Sequence, residues 1–111
     1  MAAELNLEAL RDEIDKIDEV IVRLLDSRAR CAYSVGRLKH ALGRPIYEPA
    51  REAAVIAHVR QVNDGLGGPL DGDAVARLYE RIMDEARRIQ RLEAERDALE
   101  KQAKTDGEAG L

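Results

Sequence analysis

From Leu7 onward the apolar positions run Leu7, Leu10, Ile14, Ile17, Ile21, Leu24, Cys31, Val35 and Leu38. The steps alternate three and four, which draws one narrow seam along a helix. Asn6 stands ahead of the seam as a candidate N-cap, with Asp12 and Glu13 soon after it. Only Gly36 interrupts the run, and Gly43-Arg44-Pro45 supplies the glycine-then-proline stop that helix ends prefer. The pattern predicts one helix from about residue 5 to about residue 41.

At 1.5 Å per residue, about thirty-five residues span about 50 Å, whereas a compact domain of this size has a radius of gyration of only ~13 Å. Such a helix overruns what its own chain can cover while still carrying an apolar seam. A second copy of the chain is the economical cover. The expected fold class is therefore all-α: a three-helix chain with a very long first helix, in an intertwined homodimer. A long exposed coiled-coil arm is the alternative.

The second helix is predicted from Pro49, a residue suited to the first helical position, to about Asn63, ahead of the turn at residues 64–69. The third starts with Asp71 or Asp73 as its cap and continues through Val75, Leu78, Ile82, Ala86 and Ile89. Beyond Leu92 the stripe thins to Ala94, Ala98 and Leu99 among charges. The reading is one helical domain over residues 1–103 and a polar tail over residues 104–111 that is expected to fray. No strand pattern or internal repeat appears.

Composition agrees with a single helical domain. Of 111 residues, 45% are apolar and 36% charged, with no Trp, no Phe and three Tyr, so the core must be aliphatic. The net charge of −4 comes from intermixed signs and gives no case for a nucleic-acid partner. Cys31 is the only cysteine and cannot form an internal disulfide. The N-terminus lacks the basic-then-apolar pattern of a signal peptide, and no stretch approaches the ~18 apolar residues of a membrane span. No membrane partner is expected, and a cytoplasmic location is.

Charge enters where the pattern demands apolar residues. Between Leu24 and Cys31 the seam position is Arg28. An unpartnered buried guanidinium costs several kcal/mol, so Arg28 requires an anion. A carboxylate from a neighbouring helix would serve, and so would the carboxylate or phosphate of a ligand. Lys39 follows eleven residues later, almost three whole turns, on the same helix face and about 16 Å further along. It equally suits the negative end of the helix dipole.

On the second helix Glu48 and Glu52 continue the stripe of Val55, Val59 and Val62, with Arg51 beside them. Acids in a first turn are ordinary dipole partners, yet these two can also accept a hydrogen bond from a ligand hydroxyl. On the third, Gln90 follows Tyr79, Met83 and Ala86 along one face. Arg11 lies seventeen residues before Arg28, about 25 Å along the axis, too far for both to grip one small molecule within a chain. An antiparallel partner would bring one chain's Arg11 toward the other's Arg28. Cys31 reads as packing, and His40 and His58 sit at no metal spacing. The Gly-rich turn lacks the strand a phosphate loop requires. Arg87, Arg88, Arg91 and Arg96, interleaved with Glu93 and Glu95, read as a solvated face.

Four segments together resemble the small all-helical class of chorismate mutases. They are Leu10-Arg11-Asp12-Glu13-Ile14-Asp15-Lys16-Ile17-Asp18, Leu25-Asp26-Ser27-Arg28, Val35-Gly36-Arg37-Leu38-Lys39, and Arg44-Pro45-Ile46-Tyr47-Glu48-Pro49-Ala50-Arg51-Glu52. The resemblance covers about residues 7–92 and is specific as a set. It implies a dimer with two composite active sites that rearranges chorismate to prephenate in phenylalanine and tyrosine biosynthesis. It implies no cofactor, no metal and no covalent intermediate. Arg28 and Arg51, with Arg11 from the other subunit, would hold the two substrate carboxylates. Lys39 and Gln90 would hydrogen-bond the ether oxygen, and Glu48 and Glu52 would receive the ring hydroxyl, with Glu52 also orienting Lys39. Where many relatives place a serine one turn before the glutamine, this chain has Ala86, which leaves only backbone to offer the substrate. Such mutases often partner another enzyme of aromatic amino-acid synthesis, so the resemblance adds that class of partner. The alternatives are an isochorismate pyruvate lyase of the same fold and a non-catalytic helical interaction or regulatory module. The two carboxylates favour the mutase over the lyase, and Arg28 within the seam speaks against the silent module.

Overall fold

The structure, a computed structural model, describes residues 6–109. The expected helix start near residue 5 and the last two residues of the expected tail lie outside that range. Three helices follow in order: α1 (Leu7–Ala41), α2 (Pro49–Leu66) and α3 (Gly72–Ala109). The chain divides into two compact units between Cys31 and Ala32.

In the first unit, α1 opens on the predicted cap. Asn6 Oδ1 accepts from the Ala9 N–H at 2.7 Å, satisfying a donor that a helix start leaves unpaired, and Asn6 O accepts the first intrahelical bond from Leu10 N at 3.1 Å. Leu7, Leu10, Ile14, Ile17, Ile21 and Leu24 are each between 46% and 64% exposed, so the seam read from the sequence lies at the surface of this chain. Arg11 is exposed and Arg28 half-buried.

In the second unit, α1 ends as Gly43 predicts. Arg44 N bonds Lys39 O at 2.8 Å and Gly43 N bonds His40 O at 3.2 Å, with Gly43 at φ 66°. That is a Schellman closure, and its left-handed residue favours glycine. α2 starts at Pro49 and ends on Gly67, also left-handed at φ 63°. It therefore continues through Asp64, Gly65 and Leu66, past the expected stop at Asn63. Asn63 Nδ2 reaches over the turn to Leu70 O at 2.7 Å. Asp71 caps α3, its Oδ1 accepting from Ala74 N at 2.7 Å, and Arg60 ties α2 to the first turn of α3 through Asp73 at 2.8 Å.

α2 packs on α3, and among the described residues the buried ones are Ala32, Gly36, Val75, Ala76, Met83, Gln90 and Glu93. This corrects one expectation. Leu78 is 57% exposed and Leu92 is half exposed. Ala76, Met83 and Gln90 recur every seventh residue and make the buried line; Leu78, two residues from Ala76, is turned about 200° away. Buried Glu93 meets Arg37 at 3.8 Å and Arg96 at 3.6 Å, and Arg96 donates to Tyr33 Oη at 2.6 Å.

α3 also runs over residues 104–109, where a frayed tail is expected. Local side-chain pairs stand where the apolar stripe is missing: Lys101 with Asp97 at 3.0 Å and Gln102 with Asp106 at 2.8 Å. Pairs spaced four apart contribute about 0.2–0.5 kcal/mol each to a helix. Among the described residues no helix is long and apolar enough to cross a membrane.

Candidate active site

α1 can approach α3 closely because residue 36 has no side chain. A Cβ there would meet Gln90 Cγ at 2.8 Å, Cβ at 3.1 Å and Cα at 3.3 Å. Gly36 therefore seats Gln90 against α1. Gln90, 7% exposed, donates from Nε2 to Ala32 O at 3.2 Å. That bond fixes the amide with Oε1 toward Lys39.

Lys39 stands in the last turn of α1 with its side chain only 13% exposed. Its Nζ donates to Ile46 O at 2.7 Å, to Glu48 Oε1 at 3.1 Å and to Gln90 Oε1 at 3.4 Å. An ammonium has three protons, so each of its donors has an acceptor in this arrangement. The Gln90 contact is the longest and the most easily exchanged for a ligand oxygen.

Glu48 occupies the N-cap of α2, but its side chain makes no capping bond. The carboxylate is spent instead on Lys39 and on Arg44 Nη2, 3.1 Å from Oε2. The hydrogen bond from Lys39, reinforced by the charges of Lys39 and Arg44, holds this carboxyl below its ordinary value against a smaller opposing effect of burial.

One turn further on, Glu52 pairs with Arg87 rather than Lys39. Arg87 Nη1 contacts both Glu52 oxygens, at 2.6 Å to Oε2. Its Nη2 meets Asp84, and its guanidinium lies over the Tyr47 ring, 5.6 Å from the centroid. The Glu52 hydrogen bond holds Arg87 still more firmly protonated. The expectation of Arg87 on a solvated face is thus corrected: its side chain is 23% exposed. The sequence carries no local sign of this, because its partner Glu52 is 35 residues away.

The second unit therefore brings together Lys39, Glu48 and Gln90, with Glu52 on Arg87 a turn beyond Glu48. Arg51 is exposed and makes no ion pair among the described residues. Ala86 is half-buried one turn before Gln90 and offers a methyl group in place of a hydroxyl. Arg11 and Arg28 belong to the first unit. Besides Arg87, the sequence reading misses the Ile46 carbonyl, which no residue-type signal could reveal, and the packing role of Gly36.

The sequence profile of the family described as chorismate mutase type II matches residues 10–91. A bifunctional chorismate mutase/prephenate dehydratase of Pseudomonas aeruginosa is 47% identical over 88 residues, 75% of this chain and 23% of that protein. The T-protein of Enterobacter agglomerans is 40% identical over 86 residues, 78% of this chain and 22% of its own. The chain thus spans about a quarter of the length of the curated relatives it matches. Among solved structures, chorismate mutase (form II) from Thermus thermophilus superposes with a TM-score of 0.72 at 32% identity, covering 77% of this chain and 93% of that one. A profile matched over most of the sequence, and a solved relative matched over nearly its whole length, lead to one assignment. The chain belongs to the type II chorismate mutase family.

Proposed function

We propose that the chain is a chorismate mutase, catalysing the Claisen rearrangement of chorismate to prephenate as a homodimer with two shared sites. The observation that carries this reading is the Lys39 ammonium, shielded from solvent and aimed among Ile46 O, Glu48 and Gln90. In this rearrangement the ether C–O bond breaks as a C–C bond forms, and negative charge grows on the ether oxygen. A fixed cation there stabilises the transition state more than the ground state. The substrate oxygen takes the place of Gln90 Oε1 at the ammonium, and Gln90 Nε2 carries a second proton to offer it. No proton is abstracted, so no general base is required.

Chorismate is a flexible dianion that reacts only in a chair-like conformation, and gripping both carboxylates holds it near that geometry. Arg51, exposed and in no ion pair among the described residues, suits one carboxylate. Arg28 and the partner subunit's Arg11 complete the grip, on the strength of the motifs that carry the family resemblance. Glu48 and Glu52 accept the ring hydroxyl. The exposed apolar seam of α1 supports a second copy of the chain as its cover. The name of the Pseudomonas aeruginosa relative joins a mutase to a prephenate dehydratase, which supports a prephenate-consuming enzyme as a further partner.

Following chorismate loss with purified protein tests the reading directly; an inert protein would overturn it in favour of an interaction module. The shared site has its own test. Arg11→Ala and Lys39→Ala chains are each expected to be nearly dead. Mixing them with subunit exchange should restore about a quarter of the sites of a two-fold dimer, because one site then draws both residues from intact chains. No recovery on mixing would remove the cross-subunit assignment.

A further inference from the structure

Glu48 and Glu52 lie one turn apart at the start of α2, so two carboxylates line one stretch of the proposed site. A dianionic substrate brings two more. Like charges in a partly desolvated site oppose binding strongly unless each is matched. Lys39 matches Glu48. The structure supplies a separate cation for Glu52.

We propose that Arg87 is a positioning residue of this site, whose guanidinium holds and neutralises the Glu52 carboxylate so that an acidic wall can admit a dianion. The proposal rests on the chorismate mutase reading. Three contacts fix the guanidinium from different sides. Nη1 bridges both Glu52 oxygens, Nη2 meets Asp84 on its own helix, and the flat face lies over Tyr47. A planar guanidinium can hold Glu52 through Nη1 and Asp84 through Nη2 at once, which the single ammonium of a lysine would not. Both members of the pair are 23% exposed, so solvent screens it only partly. Glu52 keeps lone pairs beyond those used by Arg87, and remains able to accept the substrate hydroxyl. The bond from Arg87 aims them. Position on α3 reinforces the reading, since Gln90 is one turn away and faces Lys39. The two pairs Lys39–Glu48 and Arg87–Glu52 thus stand at successive turns of α2.

An ion pair that merely pinned α2 to α3 would alter thermal stability and leave substrate affinity alone. Steady-state kinetics on chorismate, with thermal melts, separates the two roles through Arg87→Met, Glu52→Gln and the double variant. R87M is expected to raise KM by about tenfold with kcat within about threefold, the pattern of lost ground-state and transition-state binding together. Added salt should narrow the gap from wild type. In the Glu52→Gln background the same substitution should leave KM within about twofold of E52Q alone, because the carboxylate left on Arg87, that of Asp84, is 48% exposed and screened by solvent. An unmoved KM in R87M, or an equal rise in the E52Q background, overturns the proposal. Should R87M fail to fold, Arg87→Lys carries the test: it keeps the charge but one ammonium cannot span Glu52 and Asp84 together, so KM should rise by about threefold only where Glu52 is present. Wild-type turnover is read in the same assay. Its absence overturns the mutase reading and this one with it, whereas turnover with unmoved KM overturns the role of Arg87 alone.

Discussion

Replacing Gly36 by alanine adds one methyl group where α1 and α3 meet, and the consequence can be worked from three distances. The new Cβ would lie 2.8 Å from Gln90 Cγ, 3.1 Å from its Cβ and 3.3 Å from its Cα. A rotamer change can carry Cγ away, but Cβ and Cα move only with the helix. Restoring ordinary contact requires α3 to retreat by roughly half an ångström, a typical overpacking strain of about 1–3 kcal/mol. Alanine returns about 1 kcal/mol through its better helix propensity, so net destabilisation stays at or below about 2 kcal/mol. At about 4–8 °C per kcal/mol for a domain of this size, Tm falls by at most about 16 °C. The effect on catalysis should be larger. A displaced Gln90 loses its 3.2 Å bond to Ala32 O and its 3.4 Å contact with Lys39. Removing one aligned donor from a developing oxyanion costs about a hundredfold or more in kcat. Thermal melts and initial rates on chorismate read both quantities, and the expected signature is a kcat loss far out of proportion to the change in stability. A G36A protein with kcat within about twofold of wild type would refute the claim that Gly36 seats a working Gln90.

Lys39→Met should reduce kcat by about a thousandfold while leaving helix content by circular dichroism unchanged, because it removes the cation at the reacting oxygen and keeps the apolar stem. Glu48 titrates below its ordinary value of 4.5, chiefly through its hydrogen bond from Lys39. The stability it contributes is therefore complete above about pH 4.5 and is lost as pH falls through the lowered folded value, so Tm should drop in acid and Glu48→Gln should flatten that drop. Truncation after Ala103 removes local helix bonds and no candidate site residue, so kcat should stay within about twofold while Tm falls by a few degrees. A large loss of activity on truncation would place part of the working domain beyond residue 103.

The starts of the three helices and the end of α1 are legible in the sequence because local chemistry decides them. Asn6, Pro49, Asp71 and Gly43 each act within a few residues of where they stand. Lys39 and Gln90 are legible as anomalies on helix faces, although the contact between them spans 51 positions. What is not legible depends on packing. α3 carries two overlapping stripes with steps of three and four, and the choice of the Ala76–Met83–Gln90 line over Leu78 depends on the close fit against Gly36. Arg87 reads as solvated because it stands in a run with Arg88, Arg91 and Arg96 interleaved with Glu93 and Glu95, while its main partner Glu52 is 35 residues away. Loss of an apolar stripe likewise suggests fraying in the tail, where the helix runs on through Ala109 with the Gln102–Asp106 pair four apart on its surface. A change in the exposed face is distinct from the end of a helix.

The central claim is that the Lys39–Gln90 arrangement serves the conversion of chorismate to prephenate. The most direct measurement is a proton NMR time course of chorismate with the purified wild-type chain, with Lys39→Met as control. The account predicts one-for-one conversion to prephenate by the wild type, no pyruvate, and almost no conversion by K39M. Unchanged chorismate with the wild type, or equal rates in the two proteins, would contradict it.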